Sequence, residues 1–342
     1  MDIVLYTEEL EEKWDDYVLN SSEASGYHQI GWKRIIEETF GHKTFYLAAL
    51  EDDRIKGIFP LVLVQSFLFG RYMVSLPFLN YGGICSDTGV VRRALLKEAI
   101  DIARREKAGH IEIRDTREIE MGLPVKESKV SMLLNLPDSC DELWKNFKSK
   151  LRSQIRRPEK EGMEARVGGI EELDDFYKVF AVNMRDLGTP VYTKGFFKRI
   201  LTVFPDTTSL CVVYLKDVPV ASGFLAGFKE VLEIPWASSL RLYNYASPNM
   251  MLYWNSLKYA CEKRYKRFDF GRSTPDAGTY RFKKQWGAVP VQLYWYYWMA
   301  NGERLPELNP QNRKFSLAIK AWQSLPVWLT KIIGPHIVKG LP

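Results

Sequence analysis

"SLCVVYLKDVPVASGFLAGF", residues 209–228, reads as two β-rich runs joined by a short charged turn, a β-hairpin. Residues 45–64, "FYLAALEDDRIKGIFPLVLV", have the same form: apolar strand, charged turn, apolar strand. The segments after the two hairpins agree as well. After the first, "VVRRALLKEAIDIARREKAGHIEIRDT" gives an amphipathic helix, a stop near Gly109 and a short strand from His110 to Arg114. After the second, "NMMLYWNSLKYACEKRYKRFDFGRST" gives a helix of similar length and a strand from Arg267 to Phe270. Leu95, Ala99, Ile102 and Ala103 recur at helical spacing in one, and Leu252, Leu257, Ala260 and Cys261 in the other. Hairpins and helix–strand units alike lie about 160 residues apart, so the chain is expected to hold a duplicated domain with a mixed sheet.

A strand–helix–strand unit closes as a right-handed parallel crossover, and ligands of such sheets sit beyond the carboxyl ends of the strands. In the second half this points to the helix start at Ser247–Asn249 and to the strand exit at Asp269–Thr274. A helix start offers unpaired N–H groups and a positive dipole to an anion, although Ser247 or Asn249 serves equally well as a plain cap.

The strand exit opens "FDFGRSTPDAGTYRFKKQWG", residues 268–287, in which a loop of small and turn-forming residues runs into two lysines among aromatics. Tyr280–Trp286 is expected to begin the next strand, so that Lys283 and Lys284 point to opposite faces and only one meets the cleft. The plain alternative is a lysine that runs past Phe282 and Trp286 to solvent. "DFG" carries no kinase meaning here, because no HRD loop and no glycine-rich loop accompany it. The GxGxxG and GxxxxGK[ST] loops of nucleotide sites are missing too.

Between the halves, Lys145–Lys160 carries seven basic residues against one acid, and Leu143, Trp144, Phe147, Leu151 and Ile155 keep a helical apolar stripe. Arg152 and Arg156 share a face at i and i+4. That face is either solvated surface or a wall that grips a diphosphate or an RNA backbone. "PFLNYGG", Pro77–Gly83, lets backbone approach a ligand at Tyr81 and Gly82, or is an ordinary glycine turn. "LYWYYWM", Leu293–Met299, is read as a last strand filling the core before it is read as a sugar platform.

The 342 residues are 46% hydrophobic and 13% aromatic, which suits two packed domains and excludes disorder. Net charge is +6, a mild excess that suits phosphates or an anionic membrane surface. Four scattered cysteines and four scattered histidines form no CxxC or HExxH, so neither a zinc site nor a disulfide framework is expected, and a reducing compartment fits. The N-terminus is acidic, unlike a signal peptide, and no run reaches the ~18 apolar residues of a membrane span. The expectation is a soluble cytoplasmic protein. The tail, "RKFSLAIKAWQSLPVWLTKIIGPHIVKGLP", packs back on the first domain or lies on a membrane surface.

The arrangement resembles the FemAB-like branch of the GNAT (acyl-CoA N-acyltransferase) superfamily over nearly the whole chain. The likeness rests on "YHQIGWKRIIEETFGHKTFYLAALEDDRIKGIFPLVLV" and "LFGRYMVSLPFLNYGG" in the first half. In the second it rests on "LRSQIRRPEKEG", "SPNMMLYWNSLKYACEKRYKRFDFGRST" and "GTYRFKKQWG". The last is the most specific piece, a lysine after Phe shortly before an aromatic–Gly pair, here Trp286–Gly287. "AWQSLP" and "IIGP" in the tail are most similar to FemAB-related proteins of exosortase and exopolysaccharide systems.

The resemblance implies an α+β fold of tandem GNAT-like domains, each a mixed sheet flanked by helices. The expected boundaries are residues 1–140, a basic linker helix at 141–165, a second domain at 166–300 and a helical tail at 301–342. It also implies transfer of an acyl or aminoacyl group to an amine of a cell-envelope or exopolysaccharide precursor, an amino sugar or peptide linked to a nucleotide or lipid diphosphate. The co-substrate is acyl-CoA or aminoacyl-tRNA, with no permanently bound cofactor. The [RQ]xxGx[GA] loop of CoA-dependent members is not found, which leaves the donor open. A non-catalytic protein that binds a lipid-linked glycan or RNA is the competing reading.

Amine attack on an ester or thioester builds charge on the carbonyl oxygen and releases a proton, so a cation and a base are sought. Carried over onto the motif lysine, Lys283 is the first candidate for the cation and Lys284 the second. Asp269 is the candidate base, or else an acid that merely pairs with a cation. Gly271, Arg272, Ser273, Tyr280 and Asn249 are candidates for holding substrate, with Arg152, Arg156, Tyr81 and Gly82. No cysteine or serine has a histidine placed to make it a nucleophile. Because "IEIRDTREIEMGLP" holds no lysine pair, the second half should carry the chemistry and the first should mostly hold substrate.

Overall fold

The structure, a computed structural model, describes residues 1–67, 69–300, 305 and 313–341. The chain divides into two units, one of Met1–Val130, Gln292–Glu307 and Lys339–Pro342, the other of Ser131–Val291 and Leu308–Val338. It passes from the first to the second within the strand Val125–Asn135.

Both hairpins form. Leu47–Glu51 pairs antiparallel with Arg54–Phe59, and Thr208–Leu215 with Val218–Phe228. Their turns are alike in backbone: Asp52 and Asp53 have φ of 48° and 61°, Lys216 and Asp217 of 50° and 63°. Two successive positive-φ residues give the turn whose twist matches that of paired strands. Each hairpin also carries a bulge at the same distance ahead of its turn, at Ala49/Leu50 and at Val213/Tyr214. The duplication therefore reaches into local irregularities. The halves differ after the turn, where Pro60, lacking an N–H, ends the first hairpin's second strand, and the chain restarts as Val62–Ser66.

In the first unit one sheet has the order Asp2–Leu5, Leu47–Glu51, Arg54–Phe59, Cys85–Ser86. Val289–Met299, His110–Asp115, Gly70–Val74, Val62–Ser66 and Lys43–Thr44 are successive neighbours in a second. Its crossover runs from Gly70–Val74 through the helix Gly89–Arg105 to the parallel strand His110–Asp115. Thr88 caps that helix by accepting the Val91 N–H, and Val91, Leu95, Ala99, Ile102 and Ala103 line its buried face. Each such Leu or Ile contributes about 1.5–3 kcal/mol on burial. Leu293, Tyr296 and Tyr297 of the aromatic strand are all buried, so adjacent rings on opposite faces are both covered and strict alternation fails.

The second unit has the order Met163–Gly168, Thr208–Leu215, Val218–Phe228, Val231–Ser239, Arg267–Ser273. The helix Pro248–Glu262 connects the last two strands, which are parallel. The helix Leu173–Leu187 brings Phe176 and Phe180 into an aromatic core with Phe197 and Phe224.

Two expectations need correction. The basic segment is not one helix: Cys140–Asn146 ends at Phe147, whose extended backbone (ψ 140°) breaks the run before Ser149–Lys160 begins. The break leaves Leu143, Phe147, Leu151 and Ile155 buried, with Phe147 edge-on to Trp254 and Trp286. The tail helices Arg313–Ser324 and Val327–Val338 belong to the second unit, not the first. Arg185 donates to the Leu325 carbonyl at 3.1 Å and Gln323 to the Asp186 carbonyl at 2.9 Å. Gly188 and Gly334 leave room for Ile319 and Val191.

Candidate active site

The parallel register between the crossover strands covers Val231↔Arg267, Leu232↔Phe268 and Glu233↔Asp269. Beyond it Ile234–Ser239 and Phe270–Ser273 run on outside that pairing. The sheet thus opens immediately after two neighbouring buried carboxylates. Asp269 Oδ1 accepts from Ser131 Oγ at 2.6 Å and from the Gly271 N–H at 2.7 Å. Gly271 has φ +75°, a left-handed conformation that takes the chain out of the strand and that glycine adopts without strain.

The segment after the loop is a helix, Gly278–Lys284, where a strand was expected. Phe282 and Trp286, at i and i+4, pack on Tyr253 of the crossover helix with ring centroids at 5.1 and 6.2 Å. This face turns Lys283 inward and leaves Lys284 exposed above the Tyr280 ring. Lys283 is only 7% exposed, so it does not reach past the aromatics to solvent. Its Nζ donates to the carbonyl oxygens of Gly271 and Arg272, each at 2.9 Å. Burial lowers the Lys283 pKa to about 8, while the charges of Asp269 and Glu233 hold it up against that effect.

Around this centre Arg272 is exposed, and Ser273 is buried with an Oγ that has no partner among the described residues. Asn249 is half-buried in the first turn of the crossover helix, beside Met250, whose sulfur receives the Gln285 side-chain amide at 4.0 Å. That helix start is poorer in donors than expected. Ser247 makes no side-chain cap, Pro248 has no N–H, and the Met250 N–H is bonded to the Ser247 carbonyl. Tyr280 is half-buried.

Other expected residues lie on other elements. Arg152 and Arg156 line an open groove of about 380 Å³ with Ser149, Ser153 and Lys160, and Arg156 stands 5.2 Å from the Trp144 ring. Tyr81 and Gly82 are in the first unit, where Tyr81 packs edge-on to Tyr27 and the Gly82 N–H bonds to the Arg114 carbonyl. Sequence reasoning missed Glu233, Ser131 and Tyr253. Glu233, the lone charged residue of its strand, was the detectable signal.

The matching strand exit of the first unit is filled by its own side chains. Arg117 donates to both oxygens of buried Asp115 at 2.9 Å and pairs with Glu23, which Arg92 also holds at 3.0 Å. His28, buried, meets the Gly83 carbonyl at 3.0 Å through Nε2. Alongside, Glu112 accepts from Arg114 Nε at 2.7 Å and from the Tyr297 hydroxyl at 2.8 Å. Among the described residues no group of three or more His, Cys, Asp or Glu could hold a metal ion.

Residues 145–284, from the basic helix to the lysine helix, match the family model described as an acetyltransferase (GNAT) domain. Among solved structures the chain is similar to FemX at 16% identity and TM-score 0.67, covering 86% of this chain and 97% of that one. A tandem GNAT protein from the clavulanic acid biosynthesis pathway matches at 10% identity and TM-score 0.56, over 89% and 99%. Residues 145–284 thus match the GNAT domain model, and the chain as a whole shares its fold with FemX and with the tandem GNAT protein. A third likeness, at 13% identity and TM-score 0.59 over 97% and 98%, is to the C-terminal domain of a putative lysylphosphatidylglycerol synthetase from Agrobacterium fabrum. No curated protein matches the sequence. The lysine helix and most of the opened strand pair thus fall inside the matched GNAT domain.

Proposed function

We propose that this protein is an N-acyltransferase that moves an acyl or aminoacyl group from an ester or thioester to an amine, with its chemistry in the second GNAT domain. The observation that carries the reading is the buried Lys283 ammonium at the point where the crossover strands part. Attack on the donor carbonyl puts negative charge on its oxygen, and a cation already in place lowers the barrier without reorganising. Lys283 supplies that field and pins the strand exit through the Gly271 and Arg272 carbonyls. Asp269 keeps Lys283 charged and is the carboxylate placed to take up a proton as the amine adds. The exposed Arg272 and the unpartnered Ser273 hydroxyl bind the polar part of the substrate, with Asn249 and Tyr280 at the rim. Lys284 adds surface charge.

The groove of Arg152 and Arg156 takes the anionic part of a substrate, a diphosphate or the backbone of aminoacyl-tRNA. The donor-poor helix start offers little to the diphosphate of a coenzyme and favours an aminoacyl ester. The putative lysylphosphatidylglycerol synthetase domain, similar in fold, supports the same choice. The acceptor is the amine of an envelope or exopolysaccharide precursor on the cytoplasmic side.

The test is transfer of labelled acyl groups from a panel of acyl-CoAs and charged tRNAs to amino-sugar and peptide acceptors. Product with one donor class, lost on Lys283→Met and reduced through KM by Arg152→Glu with Arg156→Glu, is expected. Tight acceptor binding without transfer from any donor would instead show a binding protein.

A further inference from the structure

The helix Val327–Val338 is packed the wrong way round for a core helix. The face laid against the domain is made of small residues: Thr330, Gly334 and Val338, at i, i+4 and i+8, are buried. At Gly334 the approach is so close that a Cβ would stand 2.8 Å from the Val191 nitrogen. The opposite face carries the bulk, with Trp328 62% and Ile332 59% exposed and Ile333 beside them. In the preceding helix Arg313–Ser324, Leu317 is also 62% exposed. Isolated surface apolar residues need no explanation, but a Trp–Ile pair at i, i+4 whose reverse side is uniformly small does.

The charges that the tail itself carries have one sign. Residues 313–342 contain Arg313, Lys314, Lys320, Lys331, Lys339 and His336, and no Asp or Glu. Lys320 and Lys331 are exposed on the same two helices. A second copy seated here by two-fold symmetry would bring cations against cations, which argues against self-association. Among the described residues no helix is long and apolar enough to cross a membrane, so the helix would lie on a bilayer rather than span it.

We infer that the Trp328–Ile332 face, with Lys331 on its own helix and Lys320 on the preceding one, docks the protein on an anionic lipid surface. Trp seats its ring at the headgroup boundary, Ile enters the acyl region, and the lysines extend to lipid phosphates. This inference is independent of the transferase reading, since it uses no residue assigned to the candidate active site.

The test is co-sedimentation of the full chain with vesicles of phosphatidylcholine alone and of phosphatidylcholine with phosphatidylglycerol. Binding is expected to the anionic vesicles and to weaken as salt is raised. The double variant Trp328→Ser, Ile332→Ser should bind at least about tenfold more weakly with an unchanged thermal midpoint, because both side chains are exposed in the free protein. Lys320→Glu with Lys331→Glu should weaken anionic binding several-fold, and Trp328→Phe should retain it. Quenching by brominated lipid should be stronger for the natural chain than for Trp328→Phe. No binding to anionic vesicles, or equal binding by the double variant, overturns the inference. So does a dimer in sedimentation velocity that the double variant abolishes, which would give this face to a second copy.

Discussion

Lys283 Nζ lies 2.9 Å from the carbonyl oxygen of Gly271, twelve positions earlier in the chain, and equally close to that of Arg272. Consecutive carbonyls of an extended strand point to opposite sides, so one ammonium that takes both marks the place where the strand gives way. Replacing Lys283 by Met should abolish transfer. The thermal midpoint should move by only a few degrees at neutral pH. Two lost hydrogen bonds are offset by removal of a buried cation whose depressed pKa, about 8 against 10.5, corresponds to on the order of 3 kcal/mol. Thermal melting read beside the transfer assay separates inactivation from unfolding.

The same pKa sets a pH dependence. Between about 8 and 10.5 the folded chain has released the Lys283 proton that the unfolded chain keeps, so this residue's contribution to stability grows as pH rises through that window. Activity should run the other way and fall as pH rises through about 8, because the neutral amine no longer stabilises the oxyanion. Lys283→Arg cannot lose its charge here, and any residual transfer should lack the alkaline limb.

Asp269→Asn keeps an oxygen for Ser131 Oγ and the Gly271 N–H but removes the charge that holds the Lys283 pKa up. The alkaline limb should therefore move to lower pH with the fold intact. Asp269→Ala, which strands the Ser131 hydroxyl and the Gly271 N–H, should destabilise by about 1–3 kcal/mol. Rate–pH profiles of the two variants distinguish a field effect from a structural one.

At Gly271, with φ +75°, alanine must adopt the left-handed conformation at about 1–2 kcal/mol. That predicts a thermal midpoint lower by roughly 2–8 °C and transfer impaired beyond what stability explains. Gly278→Ala is the control, since a Cβ there has nothing within 4 Å and should leave both readings near those of the natural chain.

In the first unit Glu112 is buried between Arg114 and Tyr297. Burial alone pushes its carboxyl up, but the Arg114 charge and hydrogen bond leave it below the usual 4.5. Its contribution is complete above about pH 4.5 and is lost as pH falls through the lowered value. Glu112→Gln should flatten the acid side of the stability curve measured between pH 3 and 6, whereas Glu112→Ala, which leaves Arg114 buried without its acid, should cost about 3–5 kcal/mol.

Where periodicity and turn chemistry act locally, the sequence was readable. The two charged hairpin turns, the helices after them and the strand from Arg267, which runs three residues past the expected Phe270, are all written within short windows. Gly278–Lys284 was not, because Tyr280 and Phe282 alternate like a strand over so few residues. Only Tyr253, folded against Phe282 and Trp286, shows which period governs. Ser131 reaches Asp269 across 138 positions, a pairing that no local pattern records. Phe147 broke the basic helix for a tertiary reason, to set its ring on Trp254 and Trp286. The tail's choice of the second unit rested on gaps at Gly188 and Gly334 that exist only after folding.

A lysine with a pKa near 8 beside activated acyl groups is a nucleophile waiting to be consumed, and an enzyme that acylated it would inactivate itself in one turnover. Lys283 escapes through the same two carbonyls that position it. While they hold its N–H groups, and Asp269 and Glu233 favour the ammonium, less of Lys283 carries a free lone pair than burial alone would give. What orients the cation also immunises it, so loosening the Gly271 turn should expose the protein to modification by its own donor.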